Sequence, residues 1–255
     1  MKFNELDTRM RVFETANERC VLPGVYAVAR LDGRSFTRLT KEEHDFEAPF
    51  DPRFRDMMVE TTRYLMGETG MSFAYGYTQS DEVSLLFSPS DQSFGRKLRK
   101  LGSVLAGEAS AKFTSLLGSI AAFDCRLSQL PSQALVLDYF RWRSADAHRN
   151  SLSAHCYWIL RKSGASPGEA TARLEGRSAA EKNELLFSRG INFNELPLWQ
   201  RRGVGVAWEA FEKVGVNPTS GERTTAQRRR LAAVMELPMK DEYDTFVSRF
   251  VNPLL

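Results

Sequence analysis

The stretch Met71 to Phe87, MSFAYGYTQSDEVSLLF, decides the fold that we predict for this chain. Its two apolar, aromatic-rich runs have the composition and length of β-strands, and the short polar segment between them is typical of a hairpin turn. That segment carries Asp81 and Glu82. Because neighbouring side chains of an extended chain point to opposite faces, we expect at most one of the two as a direct metal ligand, with Glu82 in a supporting role.

A second acidic position follows a strand-like run upstream. The run from Tyr26 to Leu31 ends at Asp32-Gly33, where glycine permits a tight turn. We expect Asp32 and Asp81 to meet at the ends of neighbouring strands and to hold divalent metal. Mg²⁺ prefers oxygen ligands and keeps several waters, so two carboxylates and the Gly33 carbonyl suffice. The alternative on spacing alone is a simple turn at Asp32-Gly33 and a solvated hairpin tip.

The elements around these residues indicate the fold class. Asp51-Pro52 begins a helix, because Asp is a good N-cap and Pro suits the first turn. A second helix is predicted over 94–117 and a fourth strand over 121–127. Strand, helix, strand, strand, helix, strand is the ferredoxin-like order. We therefore predict an α+β fold: a ferredoxin-like, polymerase-type palm whose antiparallel sheet has strands 1 and 3 at its centre and helices on one face.

The second half of the chain has a different pattern. A helix is predicted from Ser132 to about Leu160, followed by two capping boxes that begin at Ser166 and Ser178. From Trp199 onward the pattern is β-like and basic. We predict a palm-like catalytic domain over 1–131 and, over 132–255, a C-terminal α/β extension packed on it. A polar helix is predicted over 3–20, with an apolar stripe of Phe3, Leu6, Met10 and Phe13.

Composition narrows the class of protein. The 255 residues are 42% hydrophobic and 26% charged, which is ordinary for a globular protein, and the net charge is +3. A nucleic-acid binder of this charge has to concentrate its cations locally. The three cysteines form no CxxC pair, so the sequence supports neither a zinc ribbon nor a disulfide framework and favours a cytoplasmic protein. No apolar run reaches the roughly 20 residues that span a bilayer.

Basic residues and turns offer candidate phosphate contacts. The turn Arg34-Ser35-Phe36-Thr37 follows a strand, and the backbone N–H groups of such turns bind phosphate. Lys97 and Lys100 lie three residues apart on one helix face, suited to a polyphosphate. Arg228 and Arg230 share a surface if their segment is a strand, where they would contact an RNA backbone without reading its sequence. A solvated charged face is the alternative for each of these groups.

Five stretches, taken in order, resemble the tRNA-histidine guanylyltransferase family, the 3′–5′ RNA polymerases. They are RLDGRSF at 30–36, YGYTQSDE at 75–82, DYFRWRSADAHRN at 138–150, AAEKNELLF at 179–187 and NELP at 194–197. Eukaryotic members carry His-Ile-Asn-Asn where this chain has His148-Arg149-Asn150-Ser151, and a Lys where it has Ala48. These departures are similar to the guanylyltransferase-like proteins of bacteria and archaea.

The resemblance implies two Mg²⁺ ions and a set of site residues. Asp32 and Asp81, supported by Glu82, would be catalytic, and the metal ligands would be Asp32, Gly33 and Asp81. The nucleotide site would consist of Asp32, Gly33, Arg34, Ser35, Phe36, Thr37, Ser80 and Asp81, with Lys97 and Lys100 on the triphosphate. His148, Asn150, Lys182 and Asn183 match positions that handle a second nucleotide or tRNA. Residue types alone favour a structural or solvated role for His148 and Lys182.

The implied activity is template-dependent repair of 5′-truncated tRNA by 3′–5′ nucleotide addition, or guanylylation of histidine tRNA. ATP, GTP and other NTPs would be substrates, and the resemblance implies a homotetramer. One alternative is a nucleotidyl cyclase, which shares the strand order and the metal carboxylates but needs no counterpart of residues 132–200. Another is a catalytically silent tRNA-binding protein, against which the presence of both Asp32 and Asp81 argues.

Overall fold

One six-stranded antiparallel sheet forms the centre of the protein. The computed structural model describes residues 2–216 and 223–251. The spatial order of the strands is β4-β1-β3-β2-β5-β6, so the predicted central position of strands 1 and 3 is confirmed within the palm. The strands are β1 (Tyr26–Gly33), β2 (Phe73–Gln79), β3 (Glu82–Phe87), β4 (Phe123–Leu130), β5 (Val204–Val216) and β6 (Arg223–Val234). The predicted α+β, palm-type fold is confirmed.

Helices flank this sheet on both faces. Two of them, α3 and α4, pack on the face that contains Leu31 and Leu85, as predicted for the palm. Two more, α5 and α9, cover part of the opposite face, where Phe140 and Tyr243 pack near Tyr75. The helices are α1 (Phe3–Thr15), α2 (Phe36–Arg38), α3 (Pro52–Gly67), α4 (Leu98–Leu117), α5 (Gln133–Lys162), α6 (Pro167–Leu174), α7 (Ala179–Phe187), α8 (Leu198–Arg202) and α9 (Lys240–Val251).

The long helix α5 connects the sheet to the rest of the second half. It spans 30 residues, about 45 Å at the usual helical rise. Its first half lies on β2 and β3, where the Tyr139 hydroxyl is 3.3 Å from that of Ser84. Its second half packs with α6, α7 and α8. The boundary predicted near Pro131 falls between β4 and α5, and the two parts share one sheet because β5 pairs with β2.

In the second half of the chain, two segments differ from the prediction. Residues from Trp199 to Arg202 are helical rather than β-like. The Arg201 and Arg202 side chains are held by backbone carbonyls, Nε of Arg201 donating to Leu196 O at 2.9 Å and Nη1 of Arg202 to Leu237 O at 2.7 Å. The strand pattern begins only at β5, and α9 follows β6 where no helix was predicted.

The N-terminal helix is shorter than predicted and buries none of its residues. It ends at Thr15 rather than near residue 20. The predicted apolar stripe is real in sequence but faces outward: Phe3 is 77% exposed and Phe13 73% exposed. None of the described helices is both long enough and apolar enough to cross a membrane.

Candidate active site

Asp32 and Asp81 lie at the same edge of the sheet, as the strand order predicts. The backbone N–H of Gly33 donates to the carbonyl of Asp81 at 3.0 Å, which joins the end of β1 to the turn between β2 and β3. A Cβ atom built on Gly33 would lie 2.5 Å from Cγ of Phe36, so the buried Phe36 ring requires glycine here. The packing of the aromatic core thus fixes the backbone that follows Asp32.

The carboxyl group of Asp81 is partly buried in the turn without a cation beside it. Burial raises its pKa to about 6, and the nearby charge of Asp32 acts in the same direction. Among the described residues, no Lys, Arg or His forms an ion pair with Asp81, whereas Asp32 has Arg30 at 3.8 Å and Arg126 at 4.0 Å. The protein therefore holds negative charge at this position that its own side chains leave uncompensated.

Glu82 has a different environment. In the sheet register it lies opposite Asp32, and both of its oxygens accept hydrogen bonds from Arg143, at 2.7 Å each. Arg143 also donates to Asp146 at 3.2 Å, and Arg30 lies 3.6 Å from Glu82. Both oxygens of Glu82 are thus engaged by a cation, whereas Asp81 has no cationic partner among the described residues, so Asp81 is the stronger candidate ligand. Glu82 instead attaches the hairpin to α5, which agrees with the supporting role expected for it.

This arrangement fits Mg²⁺. A partly buried carboxyl group with a raised pKa beside a second carboxylate suits a divalent cation, whose charge would favour the ionised form of both groups. No cluster of three or more His, Cys, Asp or Glu side chains that suits a metal occurs among the described residues. Two carboxylates and a backbone carbonyl are nevertheless enough for an ion that keeps several waters.

A cleft of about 430 Å³ opens over these carboxylates. Asp32, Asp81 and Glu82 form its acidic side, and the predicted residues Thr37, Ser80 and Asn150 also line it. Residues of α5 between Arg143 and Trp158 form one wall, and Phe36 and Thr37 of α2 also line the cleft. Asp32 and Asp81, which are 49 positions apart in the sequence, therefore meet in one cavity. They are joined there by residues of α5 that lie more than 60 positions beyond Asp81.

A second pocket, here called the aromatic pocket, adjoins the cleft, and the sequence analysis did not predict it. The rings of Phe50 and Trp199 stand edge to face at 6.2 Å, and Trp158 lines both cavities. At the junction, the Lys41 ammonium lies over Trp158 at 5.3 Å and over Tyr157 at 5.4 Å. Together the two cavities offer an anionic end for metal and phosphate and an aromatic end for a base. No local pattern marks these residues, because only the tertiary fold brings them together.

Three polar side chains that line the aromatic pocket already form hydrogen bonds within the protein. Asp51, the N-cap of α3, accepts from the N–H groups of Glu47 and Arg53 at 2.7 Å, and the Arg53 guanidinium lowers the Asp51 pKa to about 2. Thr78 Oγ1 donates to Glu82 O at 2.9 Å. Gln79 donates through Nε2 to the carbonyl of Gln200 at 3.1 Å.

Lys97 and Lys100 do not reach this site within one subunit, which corrects the predicted triphosphate contact. Arg96, just before α4, donates to Val25 O at 2.9 Å, so α4 begins near the start of β1. Asp32 lies seven residues further along that strand, or roughly 23 Å at the usual rise. Lys97 pairs with Glu18 at 2.5 Å, and the Lys100 ammonium lies over the Phe94 ring at 5.8 Å. The contact with Glu18 explains why Lys97, a cation, stands at the N-terminus of α4.

The predicted phosphate turn is only partly open. The N–H of Arg34 donates to Ala122 O at 2.8 Å and is therefore not free for a phosphate. Phe36 is 2% exposed, and its ring packs in the aromatic core against Phe113. Ser35 and Thr37 are exposed, and Ser35 has a left-handed backbone with φ of 61°. Thr37 is the member of this turn whose side chain is both exposed and in the cleft.

The other predicted contacts are dispersed. The His148 ring packs against Phe193, outside the residues that line the cleft, and burial lowers its pKa. Lys182 donates to the Ser153 hydroxyl at 3.1 Å. Asn183 donates to the Ala179 carbonyl at 2.8 Å on an exposed face. Of the four residues predicted for a second nucleotide or tRNA, the structure brings Asn150 alone to the cleft.

Arg228 and Arg230 share one face of the β5–β6 ribbon, as predicted for a strand. This ribbon continues past β2, which pairs with β5 only as far as Ala207. Both arginines are exposed, and Arg230 is paired with Glu209 at 2.5 Å.

Carboxylates at this edge of an α+β palm are the groups that nucleotidyl transfer uses, and we assign the chain to the nucleotidyltransferases. Residues 7–131 match the family model described as tRNAHis guanylyltransferase, and residues 134–244 match the model of its C-terminal domain. The chain therefore belongs to the tRNAHis guanylyltransferase family, and the resemblance found in its sequence is confirmed.

Individual relatives agree with this assignment. The chain is 33% identical to a probable tRNA(His) guanylyltransferase of Mus musculus over 84% of its own length and 76% of that protein. Two solved structures of a bacterial guanylyltransferase-like protein are similar throughout. The complex with GTP gives a TM-score of 0.76 at 30% identity, covering 97% of this chain and 99% of the other. The complex with ATP gives a TM-score of 0.75 at 29% identity, covering 96% of this chain and 99% of the other.

Proposed function

We propose that this protein adds nucleotides to the 5′ end of tRNA in the 3′–5′ direction, as template-dependent repair of 5′-truncated tRNA, with guanylylation of histidine tRNA as the related activity. The observation that carries the proposal is the joined pair of cavities. One is acidic and contains Asp32 and Asp81, and the other is aromatic and contains Phe50 and Trp199. The pair matches a nucleoside triphosphate, with its phosphates over the carboxylates and its base against the aromatic side chains.

Three phosphoryl transfers make up the proposed reaction. An oxygen of the tRNA 5′-monophosphate first attacks the α-phosphorus of ATP or GTP, and pyrophosphate leaves. The 3′-hydroxyl of an incoming NTP then attacks the activated 5′ phosphorus, and the nucleoside monophosphate leaves. Water finally removes pyrophosphate from the new 5′-triphosphate end. A tRNA that already carries a 5′-triphosphate needs no activation, because pyrophosphate is then the leaving group of the second step.

The residues of the site have distinct roles in this scheme. Asp32, Asp81 and the Gly33 carbonyl would hold two Mg²⁺ ions, which when bound neutralise the triphosphate, activate the attacking oxygen and stabilise the leaving pyrophosphate. Ser80 and Thr37 line the cleft beside them and would orient the phosphates. Arg143 holds Glu82, and through it the hairpin, against α5.

We propose that activation accepts ATP and GTP alike. The Asp51, Thr78 and Gln79 side chains that line the aromatic pocket are engaged within the protein, as described above. A base held mainly by ring contacts is bound without reading its hydrogen-bonding edge. Selection of the added nucleotide then falls to base pairing with the opposite strand of the acceptor stem.

The decisive test supplies a 5′-truncated, 5′-triphosphorylated tRNA with Mg²⁺ and each NTP in turn. We expect addition of only the nucleotide that is complementary to the opposing base, and the added nucleotide should change when that base is changed. Addition of G opposite every base would replace repair by fixed guanylylation. Binding of tRNA without any addition would identify a catalytically silent protein.

We propose that the outer part of the β5–β6 ribbon contacts the tRNA backbone through Arg228 and Arg230, which are exposed on one face. Replacing both by Glu should weaken tRNA binding at least about tenfold and lower the slope of log affinity against log salt by about two, because two phosphate contacts are lost. ATP affinity serves as the control, since the ribbon contributes neither residue to the nucleotide cavities. Unchanged tRNA affinity and salt slope would remove the ribbon from the interface.

We also propose that the protein is a homo-oligomer, a tetramer by family resemblance, and that it acts in the cytoplasm. The exposed Phe3 and Phe13 of α1 support contact with a second copy, because large apolar side chains on one helix face are normally covered. All three cysteines are free thiols, as expected in a reducing compartment. The molar mass in solution, measured by light scattering, checks the assembly.

A further inference from the structure

An exposed tryptophan stands on α5 close to the catalytic carboxylates, and the nucleotide cavities do not account for it. Trp142 is 54% exposed and lines neither the acidic cleft nor the aromatic pocket. Its ring lies 4.6 Å from the guanidinium of Arg143, which in turn holds both oxygens of Glu82. Only one side chain therefore separates Trp142 from the carboxylate that lies opposite Asp32.

Packing fixes the position of this ring. Tyr139, one helical turn earlier on α5, meets the Trp142 ring edge to face at 5.9 Å, and its hydroxyl lies 3.3 Å from that of Ser84 on β3. Arg143, on the next position of the helix, is 10% exposed in its side chain and fixed at Glu82. The ring is thus supported by two ordered neighbours while more than half of it faces solvent. A large apolar surface held rigidly in water is suited to stacking.

A cation is exposed on the same face of the sheet. Arg126 on β4 lies opposite Arg30 in the register, and Asp32 is two residues beyond Arg30 on β1. These side chains share a face, which is also the face on which α5 packs, since Arg30 and Asp32 align with Ser84 and Glu82 of β3. Arg126 lies 4.0 Å from the Asp32 carboxylate and is 56% exposed in its side chain. The same guanidinium lies 3.5 Å from the exposed Asp124 carboxylate, so a phosphate that approaches Asp32 across this face meets a solvent-exposed cation held only by surface carboxylates.

We propose that Trp142 is the stacking platform for the terminal base of the RNA strand that is extended, and that Arg126 contacts a phosphate of the same strand. The aromatic pocket around Phe50 and Trp199 then binds the nucleotide, and the face carrying Trp142 and Arg126 binds the RNA end. The two substrates reach the carboxylates from different sides. This assignment rests on the proposed function, and it names where the RNA lies.

Stacking is measured directly with a truncated tRNA that carries 2-aminopurine as its 5′-terminal base. We expect wild-type protein to quench this fluorophore on binding. In Trp142→Leu, which keeps an apolar side chain against Arg143, we expect the quench to be lost and RNA affinity to fall about 5- to 100-fold, as for the loss of one stacked base. Trp142→Phe should restore most of both. ATP affinity should stay at the wild-type value in each variant.

Two further variants distinguish contacts with the RNA from contacts with the nucleotide. Arg126→Gln should weaken RNA binding and reduce the salt slope by about one, the value for a single phosphate contact. Trp158→Leu, in the nucleotide cavities, should raise the KM for NTP and leave the 2-aminopurine quench in place. Absence of a quench in wild-type protein, or a Trp142→Leu protein with wild-type RNA affinity, would overturn the platform. If wild-type protein binds the tRNA and quenches 2-aminopurine but adds no nucleotide, the proposed function is wrong and Trp142 is still the stacking platform.

Discussion

Replacing either Asp32 or Asp81 by Asn should lower the rate of nucleotide addition by at least about a thousandfold, because several kcal/mol of charge stabilisation in the transition state are lost with a metal carboxylate. Asparagine keeps the shape of each side chain and removes its charge. The rate is measured in single turnover with a 5′-triphosphorylated, truncated tRNA, so that neither activation nor product release limits it. Full activity in either variant would refute the metal assignment.

A measurement of folding stability shows whether the loss of activity in the Asp81 variant comes from misfolding. The folded-state pKa of Asp81 is raised to about 6, above its ordinary value of 3.8, so the charged group costs stability as pH rises from about 4 through 6. Asp81→Asn removes that cost, and its unfolding midpoint at pH 7.5 without Mg²⁺ should equal or exceed that of wild type. Added Mg²⁺ should raise the wild-type midpoint and leave that of the variant unchanged.

Asp124 offers a matched control for these substitutions. It lies on β4 directly opposite Asp32 in the register, on the same face of the sheet, and its side chain is 64% exposed. Asp124→Asn removes the same charge next to the site without removing a predicted ligand. Asp124 also pairs with Arg126 at 3.5 Å, so the rate is compared at saturating RNA, where a change in the proposed RNA contact does not limit it. Under that condition the rate should stay within about twofold of wild type, because the exposed substitution leaves the predicted metal ligands in place.

The meeting of Asp32 and Asp81 was predictable because it depends on local patterns and on strand order. Two apolar runs around a four-residue polar segment specify a hairpin, and the ferredoxin-like order places β1 beside β3. The structure adds what the sequence does not show. The Gly33 N–H bonds the turn of the hairpin, and the Phe36 ring occupies the space that a side chain at Gly33 would need.

The distance of Lys97 and Lys100 from the carboxylates within one subunit has a topological cause. β3 starts at the hairpin tip and runs away from it, so the chain leaves the sheet at Phe87, at the end opposite Asp81. A helix that follows such a strand begins far from the tip and returns toward it, which places basic residues in its first turn away from the carboxylates. The direction of β3 was implicit in the predicted hairpin, so the position of these lysines within one subunit was predictable.

The aromatic pocket, by contrast, was beyond local reasoning. Phe50 lies in a loop before α3, and Trp199 lies in a short helix 149 residues later. Neither residue belongs to a periodic pattern that distinguishes a ligand-binding ring from a core ring. Arg201 and Arg202 belong to the segment that was predicted to be β-like, yet they lie in α8, and each guanidinium is bonded to a backbone carbonyl.

Removing Arg143 should be the most destabilising single change in the network that joins the hairpin to α5. Arg143→Met leaves Glu82, 14% exposed in its side chain, with Arg30 at 3.6 Å as its nearest remaining cation. An uncompensated buried charge costs about 3–5 kcal/mol, and the presence of Arg30 places the expected loss near the lower end of that range. Denaturant unfolding at pH 7.5 measures it.

A double-mutant cycle with Glu82→Gln shows whether the charge pair is the cause. The neutral amide removes the stranded charge, so Glu82→Gln/Arg143→Met should recover stability relative to Arg143→Met alone, with a coupling energy of at least about 1 kcal/mol. Arg149→Met is the control, because Arg149 shares Asp146 with Arg143 but is 75% exposed in its side chain, and it should change stability by less than about 0.5 kcal/mol. Additive single effects would mean that Arg143 stabilises the fold by packing alone. A coupled pair would make Glu82 the residue that holds the turn bearing Asp81 in place, which explains a carboxylate beside the metal site whose oxygens are both occupied.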